Sequence, residues 1–148
     1  MSEPDPTTSP ELSFRFPLEL RFRDLDPMGH VNNAVFATYF EIARTRYWAA
    51  LGVPRFDFIL ARLEIDYRAP IEWGDAVEAQ IGVTGFGRSS FVFSYRIVKA
   101  DGAVAAEGRS VQAWYDYEAR RTQPVPDDVR AAILAFEERL RAQGTVSS

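Results

Sequence analysis

The chain has 148 residues, a formal charge of −4 at pH 7, and 47% apolar and 14% aromatic residues. This length and composition are typical of one folded domain, and the acidic balance does not favour a nucleic-acid partner. The lack of cysteine and the single histidine exclude disulfides, thiolate chemistry and a multi-histidine metal site within one chain. No run of about 20 apolar residues could span a membrane. The start of the chain lacks a secretory signal, so we expect a cytoplasmic protein.

Composition predicts a single domain with a tail at each end. Residues 1–13 are rich in proline, serine and acids and are predicted to be a mobile tail. Residues 14–142 carry the periodic apolar patterns, and residues 143–148 are expected to be loose.

The first predicted elements are a strand, a polar loop and a long helix. Apolar residues alternate with charged ones at Leu18, Leu20 and Phe22, which predicts a half-buried strand ending at Asp24. Residues 24–33 form a loop that carries two acids, one histidine and two asparagines. A broad apolar stripe over 34–51 then predicts one helix, stopped by the glycine and proline that follow. A helix this apolar needs cover on most sides.

Four further strands are predicted by period-two alternation over residues 59–67, 77–83, 91–97 and 104–117. Short turns join them, and Gly108 within the last strand predicts a bulge. A final helix is predicted after Pro126, with an apolar stripe at Val129, Ile133, Phe136 and Leu140. The fold class is therefore α+β, a curved five-stranded antiparallel sheet wrapped around the first helix, plus a C-terminal helix.

The polar loop carries the most concentrated chemistry. It holds the only histidine, His30, together with Asp24 and Asp26. A carboxylate fixed by the following proline can act as a general base or a nucleophile. Unpaired N–H groups at the start of the next helix can polarise a carbonyl. The combination fits hydrolysis of an acyl ester or thioester.

Other interpretations remain open on spacing alone. The loop can be an ordinary turn in which His30 bonds a backbone carbonyl and Asn32 caps the helix. Glu41 can be a surface residue paired with Arg44 or Thr45, and residues 88–90 a solvated turn. A serine nucleophile is not favoured, because no Gly-x-Ser-x-Gly elbow is present and His30 would need a distant Ser89 or Ser90.

Residues 24–33, followed by Tyr39-Phe40-Glu41 and Ala43-Arg44, closely resemble a motif of the hotdog-fold acyl-CoA thioesterases. The most similar group is the 4-hydroxybenzoyl-CoA thioesterase-like family. The resemblance covers residues 16–118 and includes the strand order and the Gly87–Phe91 turn. It implies an acyl-CoA thioesterase that releases a free acid and CoA.

The resemblance also implies roles for individual residues. Asp26 matches the catalytic acid, and Asp24 matches a frequent but less essential one. The backbone N–H of Asn33 matches the amide that polarises the thioester carbonyl, and His30 matches a residue that binds or orients. Glu41 matches a helix carboxylate used in some branches. The residues that match the CoA-contacting segment are Arg88, Ser89 and Ser90.

The family further implies a homodimer or homotetramer with the active site between subunits, and neither cofactor nor metal. Two positions depart from its patterns. Met28 stands where plant-type acyl-carrier-protein thioesterases have asparagine, which argues against a carrier-protein substrate. Phe36 stands where many members have tyrosine, which removes a hydroxyl from the site. The alternatives are a non-catalytic acyl-CoA-binding hotdog domain and a hotdog hydratase or dehydratase.

Overall fold

In the computed structural model, which describes residues 11–146, an antiparallel sheet curves around one helix. The strands run in the order β1-β3-β4-β5-β2, and a short β6 pairs with β5. The predicted five-stranded sheet is confirmed, with β6 as an addition. The elements are β1 (Phe14–Leu18), α1 (Val35–Leu51), β2 (Phe58–Tyr67), β3 (Val77–Phe86), β4 (Ser90–Lys99), β5 (Val104–Asp116), β6 (Arg121–Thr122) and α2 (Asp127–Val146).

Helix α1 is the centre of the core, as predicted. Its apolar residues recur at spacings of four, three and four, which places them on one face against the sheet. The ring of Phe40 stacks on Tyr95 of β4, with centroids 4.2 Å apart. Gly52, with φ +82°, ends the helix in the left-handed region. The buried residues on this face include Phe36, Phe40, Ala43 and Tyr47.

Gly108 lets α1 approach the sheet closely. A methyl group at this position would lie 2.5 Å from Cε2 of Phe40 and would also collide with the Glu64 carbonyl oxygen. The predicted bulge at Gly108 is wrong. The register shifts instead occur between residues 60 and 62, 83 and 85, and 97 and 98. The missing side chain therefore makes room for the helix.

The predicted first strand is placed too late in the chain. Strand β1 ends at Leu18, and Phe22–Asp24 form a 3-10 turn. The Asp24 carboxylate accepts the backbone N–H of Arg21 at 3.0 Å, and the Asp24 N–H donates to the Arg21 carbonyl at 2.9 Å. Such local bonds compete with strand pairing. Phe22 is consequently 76% exposed, although the alternation had placed it with the buried residues.

A bulge also changes which residues of β2 face the helix. Ala61 has no partner on β5, so the alternation skips one residue. Leu63 and Tyr67 pair with inward-facing positions of β5, whereas Ile59 pairs with Ala113 on the outer face. The period-two alternation predicted over residues 59–67 is therefore interrupted, and Ile59 lies on the opposite face from Leu63.

Helix α2 covers β3 beyond the end of β1. The carboxylate of Glu137 accepts the Val83 N–H at 3.2 Å and the Tyr47 hydroxyl at 2.5 Å, which satisfies a strand group that β1 does not reach. The predicted stripe of α2 is buried at Val129, Ile133 and Phe136.

The described structure extends into both predicted tails. Helix α2 continues to Val146, so residues 143–146 are helical, and Leu12 is buried. Good helix formers precede Gly144, which does not stop the helix. Most of the predicted N-terminal tail, residues 1–10, and residues 147–148 lie outside the described residues.

Candidate active site

The loop between β1 and α1 is folded by its own backbone bonds. The Asp26 N–H donates to the His30 carbonyl at 2.7 Å, and the Gly29 N–H donates to the Asp26 carbonyl at 3.0 Å. Gly29 has φ +83°, a conformation that favours glycine. The predicted tight turn is present, and it holds its polar groups in fixed positions.

Asp26 is held through one of its two carboxylate oxygens. Oδ1 accepts the backbone N–H groups of Met28 at 2.9 Å and His30 at 3.2 Å. Oδ2 accepts no hydrogen bond from any residue in the described part of the chain. The carboxylate is partly buried, so it offers one open oxygen from a fixed position.

The start of α1 leaves one backbone donor open. The N–H of Ala34 donates to Oδ1 of Asn32 at 2.9 Å, and the N–H of Val35 donates to the Asn32 carbonyl at 2.9 Å. The N–H of Phe36 donates to the Asn33 carbonyl at 3.3 Å. Within residues 11–146 the N–H of Asn33 has no hydrogen-bond acceptor. It lies at the positive end of the helix dipole.

His30 is tied to a segment that follows β2. Its backbone forms a bridge with Glu72, and its Nε2 lies 3.5 Å from the Glu72 Oε1. The next residue, Val31, donates its N–H to the Ile71 carbonyl at 2.8 Å. Glu72 was not predicted as a site residue, because it lies far from the loop along the chain and belongs to no motif.

Asp26, His30 and Asn33 line one cavity of about 280 Å³. Its other walls come from α1 and from the end of β2. The hydroxyl of Tyr67 donates to the Asn33 carbonyl at 2.8 Å, and its ring lies edge-on to Phe36 with centroids 5.3 Å apart. Sequence reasoning missed Tyr67 as a site residue, although its inward register in β2 was the available signal. The remaining lining residues are Val31, Arg68, Ala69 and Pro70.

Asp24 lies beneath the loop and is 1% exposed. It accepts hydrogen bonds from Tyr39 at 2.8 Å and from the Arg21 Nε at 3.1 Å, in addition to the Arg21 backbone. Burial raises the pKa of the Asp24 carboxyl, but the hydrogen bonds from Arg21 and Tyr39 outweigh it and leave the pKa below its usual value. Burial and the neighbouring Asp24 carboxylate raise the pKa of Tyr39. Asp24 therefore anchors the loop as an ionised group.

The structure does not bring the other predicted residues to this cavity. Glu41 is exposed on α1, away from the cavity, and its carbonyl oxygen accepts the Thr45 hydroxyl at 3.0 Å. Arg88, Ser89 and Ser90 form the turn between β3 and β4, at the opposite end of the sheet from the cavity. A ten-residue strand separates the two ends, which is about 33 Å at about 3.3 Å per residue.

Neither a metal cluster nor a membrane helix is present in the described structure. No group of three His, Asp or Glu side chains among residues 11–146 could hold a metal ion. Over the same range, no helix combines the length and apolar character needed to cross a bilayer.

Comparison with known proteins agrees with this architecture. A family model described as the thioesterase-like superfamily matches residues 20–133. The acyl-CoA thioester hydrolase YbgC of Escherichia coli is 27% identical over 125 residues, which cover 80% of this chain and 93% of that protein. The 1,4-dihydroxy-2-naphthoyl-CoA hydrolase of Synechococcus elongatus is 27% identical over 123 residues, with 77% and 90% covered.

Among solved structures, a thioesterase from Thermus thermophilus complexed with coenzyme A and Zn superposes with a TM-score of 0.79. The identity is 40%, and the alignment covers 86% of this chain and 96% of that one. The curved sheet around one long helix, shared with such structures, defines the class of hotdog-fold proteins. The chain belongs to the thioesterase-like superfamily, which confirms the family predicted from the loop motif.

Proposed function

We propose that this protein hydrolyses acyl-CoA thioesters to a free acid and CoA, at the cavity formed by the loop and the start of α1. A thioester hydrolase is the enzyme class of its superfamily and of its named relatives. One observation carries the assignment to this cavity. Asp26, whose Oδ2 accepts no hydrogen bond within residues 11–146, and Asn33, whose backbone N–H has no acceptor there, line the same cavity.

The chemistry follows from these two groups. The Asn33 N–H donates to the thioester oxygen and stabilises the negative charge that develops there. Asp26 either attacks the carbonyl carbon, giving an anhydride that water then opens, or removes a proton from an attacking water. In both routes the carbon–sulfur bond breaks, the thiolate of CoA takes up a proton, and the acid leaves. His30, at the cavity wall, binds or orients the substrate.

We also propose that the active form contains a pair of subunits joined along β2. This strand is an edge of the sheet, and its exposed apolar residues include Ile59 (36%), Leu60 (45%) and Tyr67 (48%). Uncovered edges of this kind are templates for pairing with another chain. Two-fold pairing would extend the sheet across both subunits. A homotetramer built from two such pairs is the other predicted assembly.

Such a pair would supply the CoA-binding residues that one subunit lacks near its cavity. In antiparallel pairing of β2 with its copy, the start of one strand lies beside the end of the other. The turn that carries Arg88 would then lie at the same end of the joined sheet as the other subunit's Asp26. Arg88 is exposed, and its guanidinium has no partner among residues 11–146, so it is available for a CoA phosphate.

The test is hydrolysis of aromatic, short-chain and long-chain acyl-CoA substrates, followed with a thiol-detecting reagent. Asp26→Asn is expected to lower kcat by about 10²-fold to 10⁴-fold while the thermal midpoint stays close to wild type. Asp127→Asn, an exposed carboxylate at the start of α2, is the matched control and should behave as wild type. Normal turnover by Asp26→Asn would contradict the role given to Asp26.

The same assay separates the competing functions. A non-catalytic acyl-CoA-binding domain would bind CoA in calorimetry and release no thiol from any substrate. A hydratase or dehydratase would change an enoyl-CoA or hydroxyacyl-CoA without releasing CoA. The open Asp26 oxygen favours hydrolysis over the binding function.

A further inference from the structure

We infer that Tyr67, at the end of β2, is a positioning residue that holds Asn33 in place for the reaction. This inference rests on the proposed function, because it assigns Asn33 the bond to the thioester oxygen. Tyr67 acts through Asn33 and takes no part in the proton transfers.

The contacts of Tyr67 join the sheet to the start of α1. Its hydroxyl donates to the Asn33 carbonyl at 2.8 Å across a separation of 34 residues. Its ring lies at 89° to that of Phe36, which is buried in the core. The contact with Phe36 therefore orients the Tyr67 ring, so that its hydroxyl points at the Asn33 carbonyl. This hydrogen bond joins β2, the edge strand, directly to the loop.

Asn33 needs such support because its own position is weakly held. It is exposed, lies two residues before Val35, the first residue of α1, and leaves its N–H without an acceptor in the described structure. Apart from the Tyr67 hydroxyl, the one group within residues 11–146 that donates to its carbonyl is the Phe36 N–H, over a long distance of 3.3 Å. A donor stabilises a transition state best when it is already in place before the reaction. The hydrogen bond from the Tyr67 hydroxyl, which lies outside the loop, holds the Asn33 backbone in place before the reaction.

The Tyr67 hydroxyl also lies on the cavity wall that Phe36 helps to form. A phenylalanine there leaves α1 without a hydroxyl at that point of the cavity. Tyr67 brings one to the same wall from β2, against the Phe36 ring. Tyr67 and Phe36 together form a wall with one polar side-chain atom, the Tyr67 hydroxyl oxygen. That hydroxyl is already hydrogen-bonded to Asn33.

The chain offers a matched control at the other end of β2. Tyr117 is also an exposed tyrosine, and its hydroxyl donates to a backbone carbonyl, that of Phe58, at 3.4 Å. Tyr67→Phe deletes a hydroxyl carried by the last residue of β2, and Tyr117→Phe deletes one that follows β5 and bonds the first residue of β2. Each variant keeps its ring, so both are expected to fold.

The experiment compares kcat and KM of both variants on the acyl-CoA that the wild type hydrolyses best. Tyr67→Phe should lower kcat about tenfold with KM unchanged within about twofold, because the deleted bond acts on the transition state and not on binding. Its thermal midpoint and its mass in solution should match wild type. The backbone order parameter of Asn33 from ¹⁵N relaxation should fall from about 0.85 toward 0.6. Tyr117→Phe should change none of these.

Wild-type kcat in Tyr67→Phe would overturn the inference, and so would an unchanged Asn33 order parameter. A rise in KM alone would make Tyr67 a substrate-binding residue and would also overturn it. The proposed function survives these results, because it is judged by Asp26→Asn. If the wild type releases no thiol from any acyl-CoA, the proposed function fails and the inference fails with it.

Discussion

Two acids only two positions apart, Asp24 and Asp26, have different surroundings and therefore different uses. Asp24 is buried and accepts three bonds from Arg21 and Tyr39. Asp26 keeps one oxygen open to the cavity. Spacing could not separate these environments, because both acids lie beside the same turn. The first stabilises the fold, and the second is available for chemistry.

Asp24→Asn is expected to destabilise the protein in a pH-dependent way. The folded-state pKa of Asp24 lies below its ordinary value of 3.8, so its stabilisation is fully present above that value and is lost as pH falls through the folded pKa. At pH 7 the free energy of unfolding should fall by about 2 kcal/mol. Urea denaturation at pH 7 and near pH 3 measures the difference between wild type and variant. A difference that does not shrink at the lower pH would contradict the ionised anchor.

His30→Ala should reduce kcat/KM less than Asp26→Asn does. The imidazole lies at the cavity wall beside Glu72, whereas the backbone of His30 supplies the N–H that holds Asp26, and alanine keeps that N–H. We expect a loss of about tenfold. Steady-state kinetics of both variants on the same substrate shows which of them loses more of its kcat/KM. A larger loss for His30→Ala would make the imidazole the principal catalytic group.

At the scale of elements, the sequence predicted the parts whose signals are local and periodic. Helix α1 and strands β3 and β4 follow their apolar periods, and the Asp26, His30 and Asn33 groups come from one short loop. The predicted end of the first strand and the predicted alternation of β2 were wrong. In both places a local feature interrupts the apolar alternation, the turn at Asp24 and the bulge at Ala61. Tyr67 and Glu72 reach the cavity only through tertiary folding, which alternation within one strand does not describe.

Gly108→Ala should be strongly destabilising because it fills the space that α1 occupies. The new methyl group would lie 2.5 Å from the Phe40 ring and against the Glu64 carbonyl, and neither the buried ring nor the backbone can yield cheaply. We expect a loss of about 3 kcal/mol in the free energy of unfolding. Gly144→Ala in α2 is the control, since nothing lies within 4 Å of the added atom. The control should be neutral or slightly stabilising. Equal midpoints for both variants in thermal denaturation would contradict the close approach.

At the scale of the whole molecule, Asp26 and Arg88 lie far apart along the sheet. This distance determines whether one subunit can supply both residues to one cavity. One subunit carries both residues at opposite ends, about a strand length apart. Under the proposed pairing, each cavity would use the Asp26 of one subunit and the Arg88 of the other. The family resemblance implied an active site between subunits, but the sequence did not indicate which subunit supplies each residue.

This division predicts complementation between two defective copies. Asp26→Asn and Arg88→Ala should each lower activity as pure proteins. In a mixed pair, however, one cavity receives an intact Asp26 and an intact Arg88, while the other receives both defects. Unfolding and refolding an equal mixture should restore about a quarter of wild-type activity, because random pairing makes about half of the pairs mixed. Recovery no greater than the average of the two variants would show that each subunit works alone. If mixed pairs do recover this activity, a cell with two differently damaged copies of the gene would keep more activity than a cell with two identically damaged copies.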